Sequence, residues 1–227
     1  YICVKEHGYV YSEPAYDAPR LCDFLMSDIL RKGNAGEADG WASVRLWDGR
    51  NGWVPADCAA DFREWMSERG GLAAKAARKG SSGSGMAASE IAETLVSTAR
   101  LFLGAPYMWG GMSAGLFDCS GLVGFCYFMS GIQLPRDASQ QIKIGESVEF
   151  EDMQAGDLVF FGNSSVGHVA LCTGPGRIIH SSQIVRENSL IEGEPGYYKR
   201  NILGIRRIIG NCSEKEFVKK SPLYFGE

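Results

Sequence analysis

The run Gly80-Ser81-Ser82-Gly83-Ser84-Gly85 reads as a flexible linker and sets a domain boundary within the 227 residues. Before it, residues 1–58 are rich in aromatics and turn formers, and their short apolar stretches have the spacing of a small all-β unit. Within them, Trp41-Ala42-Ser43-Val44-Arg45-Leu46 alternates, Asp48-Gly49-Arg50-Asn51-Gly52 turns, and Trp53-Val54-Pro55 returns, which predicts a hairpin in a compact barrel. From Ala59 to Lys79 the composition shifts to Ala, Arg, Glu and Lys, so residues 59–88 are read as a helical and Gly/Ser-rich linker. Beyond it, Ile91, Leu95, Ala99 and Leu103 recur every fourth residue and predict an amphipathic helix from Ser89, its N-cap, to Leu103. A second apolar helix is expected after Asp118, reaching about Met129, and from Asp157 onward the apolar runs are short and β-rich. Helices followed by strands predict an α+β unit over residues 89–210, with a mixed polar tail over 211–227.

Charge and composition exclude several classes. With 23 Lys plus Arg against 27 Asp plus Glu, the chain lacks the basic footprint of a nucleic-acid binder and any polybasic cluster for anionic lipid. The charge-free stretch from Leu101 to Phe117 is broken by Pro106 and four glycines, so it predicts no membrane span. The first residue is Tyr1 rather than Met, with no basic-then-apolar leader, as expected if a targeting segment was removed or the chain trimmed. Seven cysteines without CxxC spacing cannot all pair, so at least one thiol is free or intermolecular.

One of those thiols, Cys119, falls at the start of the second predicted helix. Helix-terminal amides and the macrodipole favour a thiolate, which predicts a lowered pKa and a nucleophile. Two of the three histidines, His168 and His180, flank the turn Thr173-Gly174-Pro175-Gly176. An antiparallel hairpin centred on Gly174 would set them directly opposite each other, close enough for one imidazole to orient the other. Cys119, His168 and His180 then supply nucleophile, base and orienter, with His168 holding Cys119 as thiolate.

Five motifs in order carry a family resemblance: Pro106-Tyr107-Met108-Trp109-Gly110-Gly111, Phe117-Asp118-Cys119-Ser120-Gly121, Leu134-Pro135-Arg136-Asp137-Ala138-Ser139-Gln140, Ala155-Gly156-Asp157-Leu158-Val159-Phe160-Phe161, and Gly167-His168-Val169-Ala170. The chain resembles the NlpC-type cell-wall cysteine peptidases, and residues 1–58 resemble the bacterial SH3-like domains found ahead of several of them. The resemblance implies a papain-like C-terminal domain that hydrolyses the bond between γ-D-Glu and the diamino acid of peptidoglycan stem peptides. It implies Cys119 as nucleophile, His168 as base, His180 as orienter, and Tyr107 as an oxyanion donor beside the Cys119 amide. Asp118, Ser120 and Trp109 become candidate substrate contacts. Asp137, also readable as the N-cap of a capping box with Gln140, becomes the candidate partner of a free substrate ammonium. In the relatives that cleave free-ended peptides the SH3-like domain contributes a glutamate and a tyrosine, whereas here Arg50 stands in the tyrosine's slot. No cofactor or metal is implied; a monomer and an envelope, periplasmic or secreted location are expected.

Other readings start from the same residues. Cys119, Cys126, Cys172, His168 and His180 are zinc-type ligands, but no short paired spacing joins them. Cleavage of acylated stems, a non-catalytic peptidoglycan-binding module, or acyl transfer on a papain-like scaffold are the alternatives to release of L-Ala-γ-D-Glu from free-ended peptides.

Overall fold

A computed structural model describes residues 1–46, 48–65, 67–68 and 84–209. Residues 69–83, with most of the expected linker, and the tail 211–227 lie outside the described residues. The chain divides into two compact units, Tyr1–Glu68 and Arg69–Glu227.

The first unit is built of strands β1 (Ile2–Cys3), β2 (His7–Tyr11), β3 (Arg20–Leu25), β4 (Arg31–Ala38), β5 (Trp41–Arg45), β6 (Asn51–Pro55) and β7 (Ala59–Ala60). The expected hairpin is present: β5 and β6 pair antiparallel from Trp41 opposite Pro55 to Arg45 opposite Asn51. Five strands form one sheet in the order β3-β2-β6-β5-β4, and β1 pairs with β7. No pairing among the described residues joins the two edges, β3 and β4, into a closed barrel. Val10, Phe24, Val44 and Val54 are buried together on one side, the alternation that a single-faced core requires. Arg50, in the turn of the hairpin, is held by Asp48 at 2.7 Å.

Among the described residues, the second unit starts with helix α1 (Ser84–Leu101). It begins five residues earlier than expected, taking in Ser84 and Gly85 of the glycine-serine run, so Ser89 is a helix-interior residue rather than the N-cap. Ile91, Leu95 and Ala99 are buried as the four-residue recurrence predicts, whereas Leu103 lies beyond the helix end and is half exposed. The short strands β8 (Met112–Ser113) and β9 (Leu116–Phe117) lead into helix α2 (Cys119–Met129), within the span predicted for it. Leu122, Val123, Phe125, Cys126, Tyr127 and Met129 of α2 are buried, so it is a core helix rather than an amphipathic one. A single turn, α3 (Ala138–Gln141), follows the motif of Arg136 and Asp137.

Then come β10 (Glu146–Val148), β11 (Leu158–Gly162), β12 (Val166–Gly174), β13 (Arg177–Ser182), β14 (Ile184–Ser189) and β15 (Ile202–Arg207). They make one antiparallel sheet in the order β10-β15-β11-β12-β13-β14. Helix α2 packs on β12 and β13, the strands that carry the two histidines. Phe102, Phe117 and Phe125 meet edge to face beneath the helix start. Buried Asp157 takes a forked hydrogen bond from Arg207 at 2.9 and 2.8 Å, which compensates a carboxylate that burial would otherwise penalise. Among the described residues no helix is long and apolar enough to cross a membrane.

Gly121, in the first turn of α2, lies so close to the loop before it that a Cβ there would come 2.0 Å from the Gly111 carbonyl oxygen. Gly124, one turn on, has open space at the same point. Gly121→Ala is therefore expected to destabilise the second unit by about 1–3 kcal/mol. Gly124→Ala should leave it unchanged or stabilise it by up to about 1 kcal/mol. Thermal unfolding of both variants checks the pair, and equal midpoints would contradict the close approach.

Candidate active site

Asp118 is the N-cap of α2, and its buried carboxylate collects five donors. These are the Gly121 amide at 2.6 Å, the Gly110 amide at 3.0 Å, the Ser120 hydroxyl at 3.2 Å, and both terminal nitrogens of Arg136 at 3.2 and 2.5 Å. Burial by itself would raise the Asp118 pKa, but the Arg136 guanidinium, the Gly121 amide and the Ser120 hydroxyl together hold it below the usual carboxylate range. Ser120 also accepts from Arg136 at 3.0 Å. Asp118 and Ser120, expected as substrate contacts, thus have their side chains engaged with each other and with Arg136.

This arrangement fixes the backbone on which Cys119 sits. The Ser181 hydroxyl adds a second tie, donating to the Phe117 carbonyl at 2.8 Å and linking the start of α2 to the strand of His180. The Cys119 sulfur faces the backbone N–H of Val169, the residue after His168, together with the amides of Ser120 and Cys119 itself. The thiol therefore lies against the residue that follows the expected base. The expectation of a lowered thiol pKa is not met: burial raises it, and the three amides offset that only in part. The physical reason is that withdrawal from water outweighs the partial charge at the helix terminus.

His168 and His180 meet across the sheet, with Nε2 of one 2.6 Å from Nδ1 of the other. The predicted register needs correction. The hairpin sets Leu171 opposite Ile179 and Cys172 opposite Ile178, a pair sum of 350 rather than the 348 that direct opposition of the histidines requires. The turn is a two-residue loop, Pro175-Gly176, with a bulge between Cys172 and Gly174, and Gly176 takes the positive φ of 66° that the tight return demands. Because the shift is two residues and side chains alternate with period two, both histidines stay on one face and touch diagonally.

Neither imidazole is solvated. Burial pushes His168 down to about 3, assisted by the neighbouring His180, and His180 down to about 4, against a hydrogen bond donated to Asn188 that raises it. Tyr198 packs edge-on to His180 with centroids 4.5 Å apart, and Phe161 lies 5.8 Å from His168. At neutral pH the pair is uncharged.

Tyr107 is half-buried, and its hydroxyl pKa is raised first by burial and then by the charges of Cys119 and Asp118. Trp109 is 87% exposed and is no part of a core. Asp137 is exposed at the start of α3, where its N–H donates to Gln140 Oε1 at 3.2 Å in the predicted capping box. The sequence reading missed Arg136, Ser181, Asn188 and the Val169 amide; of these, Arg136 and Val169 lay in motifs already singled out, next to Asp137 and His168.

The comparisons with known proteins fall on this part of the chain. The family model described as NlpC/P60 family matches residues 104–207, which contain every residue of the cluster. Residues 104–207 are an NlpC/P60 domain. The chain is 38% identical over 120 residues to a gamma-D-glutamyl-L-lysine dipeptidyl-peptidase of Bacillus subtilis, covering 51% of this chain and 40% of that protein. It is 42% identical over 123 residues to the protein of the same name from Bacillus cereus, covering 52% of this chain and 37% of that one. The crystal structure of an NlpC/P60 family protein from Bacillus cereus superposes with a TM-score of 0.66 at 27% identity, over 92% of this chain and 62% of that one. The chain therefore spans about two fifths of the length of these two curated relatives.

The imidazole pair gives the NlpC/P60 domain a defined acid sensitivity. In the unfolded chain each histidine binds a proton below about 6.5, whereas in the fold each does so only near 3 or 4. Between those limits the unfolded state carries more protons, so stability is present above about pH 6.5 and is lost as the pH falls toward 4. The thermal midpoint is expected to drop over that interval, and to drop less in His168→Gln/His180→Gln. The same drop in the double variant would put the acid sensitivity elsewhere.

Proposed function

We propose that this protein is a thiol peptidase that cleaves peptidoglycan stem peptides between γ-D-Glu and the diamino acid, releasing L-Ala-γ-D-Glu from peptides with a free N-terminal L-Ala. The observation that carries the reading is the Cys119 sulfur against the Val169 amide, one residue from a His168–His180 pair joined at 2.6 Å. The two Bacillus relatives named as gamma-D-glutamyl-L-lysine dipeptidyl-peptidases support the choice of bond. The α2-on-sheet arrangement supports a papain-like reading of the C-terminal unit. The β5–β6 hairpin supports an SH3-like reading of residues 1–58. A wall substrate agrees with an envelope, periplasmic or secreted setting and with action as a monomer.

In this mechanism the Cys119 sulfur attacks the γ-carbonyl carbon of D-Glu while its proton passes to His168. Burial disfavours a standing thiolate, so the proton leaves as the carbon–sulfur bond forms. The oxyanion faces the Cys119 backbone N–H and the Tyr107 hydroxyl, donors worth about 3 kcal/mol each where charge develops. His168 then protonates the departing amine of the diamino acid as the carbon–nitrogen bond breaks. Water, giving a proton to His168, hydrolyses the thioester and returns the thiol and the free γ-carboxylate. Asp118 and Ser120 frame the nucleophile, Trp109 offers an exposed wall, and the Asp137 carboxylate pairs with the substrate ammonium.

Mass spectrometry of products from L-Ala-γ-D-Glu-diamino acid tripeptide tests the assignment. Wild type is expected to release L-Ala-γ-D-Glu and Cys119→Ala to release none while keeping its thermal midpoint; near-normal turnover by the variant would overturn the reading. Asp137→Asn should slow cleavage of the free tripeptide at least about tenfold and spare an N-acylated one. Equal loss on both would reduce Asp137 to a helix cap.

A further inference from the structure

Asn188 stands beyond the two histidines, on β14, and no reading of the motifs reaches it. Its side-chain oxygen Oδ1 is 2.9 Å from His180 Nε2, and its Nδ2 donates to the Gly196 carbonyl at 2.7 Å. A carbonyl oxygen can only accept, so the Gly196 contact fixes which end of the amide faces His180. Asn188 therefore presents an acceptor, and His180 Nε2 must carry a proton to meet it. A neutral imidazole has one N–H, which leaves His180 Nδ1 bare. His180 Nδ1 must then accept from His168 Nε2, and the His168 proton is placed there in turn. The nitrogen left bare on His168 is Nδ1.

The register supports a designed row. Asn188 pairs with Ile178 across β13 and β14, two residues from His180, so His168, His180 and Asn188 touch diagonally along one face of three adjacent strands.

We propose that Asn188 is a positioning residue that sets the tautomer of both imidazoles, so that His168 keeps a bare Nδ1 with which to take the Cys119 proton. The inference rests on the reading of Cys119 and His168 as nucleophile and base. With the Asn188 acceptor removed, His180 is free to carry its proton on Nδ1, which reverses the pair and leaves His168 with a proton on the nitrogen that should receive one. The loss falls on the chemical step, because Asn188 is neither beside Cys119 nor in the motifs assigned to substrate.

The test combines ring-nitrogen NMR with kinetics. In 15N-labelled wild type at pH 7, two-bond proton–nitrogen spectra should show His168 and His180 protonated at Nε2 and bare at Nδ1, with His7→Gln removing the third histidine's signals. Asn188→Ala should convert this pattern to its reverse or to an average and lower kcat on the stem tripeptide at least about tenfold, with KM changed less than about twofold. Asn188→Asp, which keeps an acceptor, should restore the wild-type ring pattern and most of kcat. A wild-type spectrum with His180 protonated at Nδ1 would overturn the proposal, and so would an Asn188→Ala protein with unchanged spectrum and kcat. Should Asn188→Ala fail to fold, the wild-type spectrum and Asn188→Asp decide the matter. A wild-type protein that shows the expected spectrum and cleaves no stem peptide would sink the peptidase reading while supporting the tautomer assignment.

Discussion

The site hangs on one carboxylate. Asp118 draws the Gly110 amide from the glycine loop, the Gly121 amide and Ser120 hydroxyl from the first turn of α2, and the Arg136 guanidinium from the segment before α3. Three stretches distant in sequence are thereby brought to one point, and Cys119 has its backbone held from both sides. A buried carboxylate is tolerated only when its acceptor sites are filled, so the fold around Cys119 depends on all of these donors together. The close approach of Gly121 to the Gly111 carbonyl follows from the same convergence.

Burial sets the electrical state of what Asp118 positions. Cys119, His168 and His180 are each pushed toward the neutral form by withdrawal from water. The aromatic rings of Tyr198 and Phe161 against the imidazoles help to keep that surrounding apolar. In the proposed mechanism, a charge that appears only during reaction is then met by fixed dipoles, the amides at the head of α2 among them, rather than by solvent that would need to reorganise.

Much of this was legible in the chain. Two composition regimes, the β5–β6 hairpin, a core helix from Cys119 to Met129 and the strand-rich C-terminal part follow from turn chemistry and apolar spacing, which act locally. The place of Cys119 at a helix start and the meeting of the two histidines were also legible, because a thiol at a helix start and paired histidines about a turn are short-range patterns. What was not legible depended on backbone irregularity or on distance. The loop falls on Pro175-Gly176 and the bulge between Cys172 and Gly174 changes the pair sum by one step, and no residue type announces such a bulge. Helix α1 took in Ser84 and Gly85 from a run whose composition favours coil. The rise of the Cys119 pKa needed the knowledge of how deeply α2 is buried. Asn188 and Ser181 are polar residues on strands with nothing to mark them until their neighbours are in place.

The hairpin between β12 and β13 carries a parity rule. Its loop is only Pro175-Gly176, and the two imidazoles share a face because the offset between them is even. Lengthening or shortening one arm by a pair of residues would slide His168 along His180 and leave both on one face. A single inserted or deleted residue would send one of them through the sheet to its other side. A change of length in this hairpin keeps the two imidazoles together only in steps of two, or where the loop and bulge absorb an odd residue. The face that carries the imidazoles is protected by counting, independently of which apolar residues fill the strands.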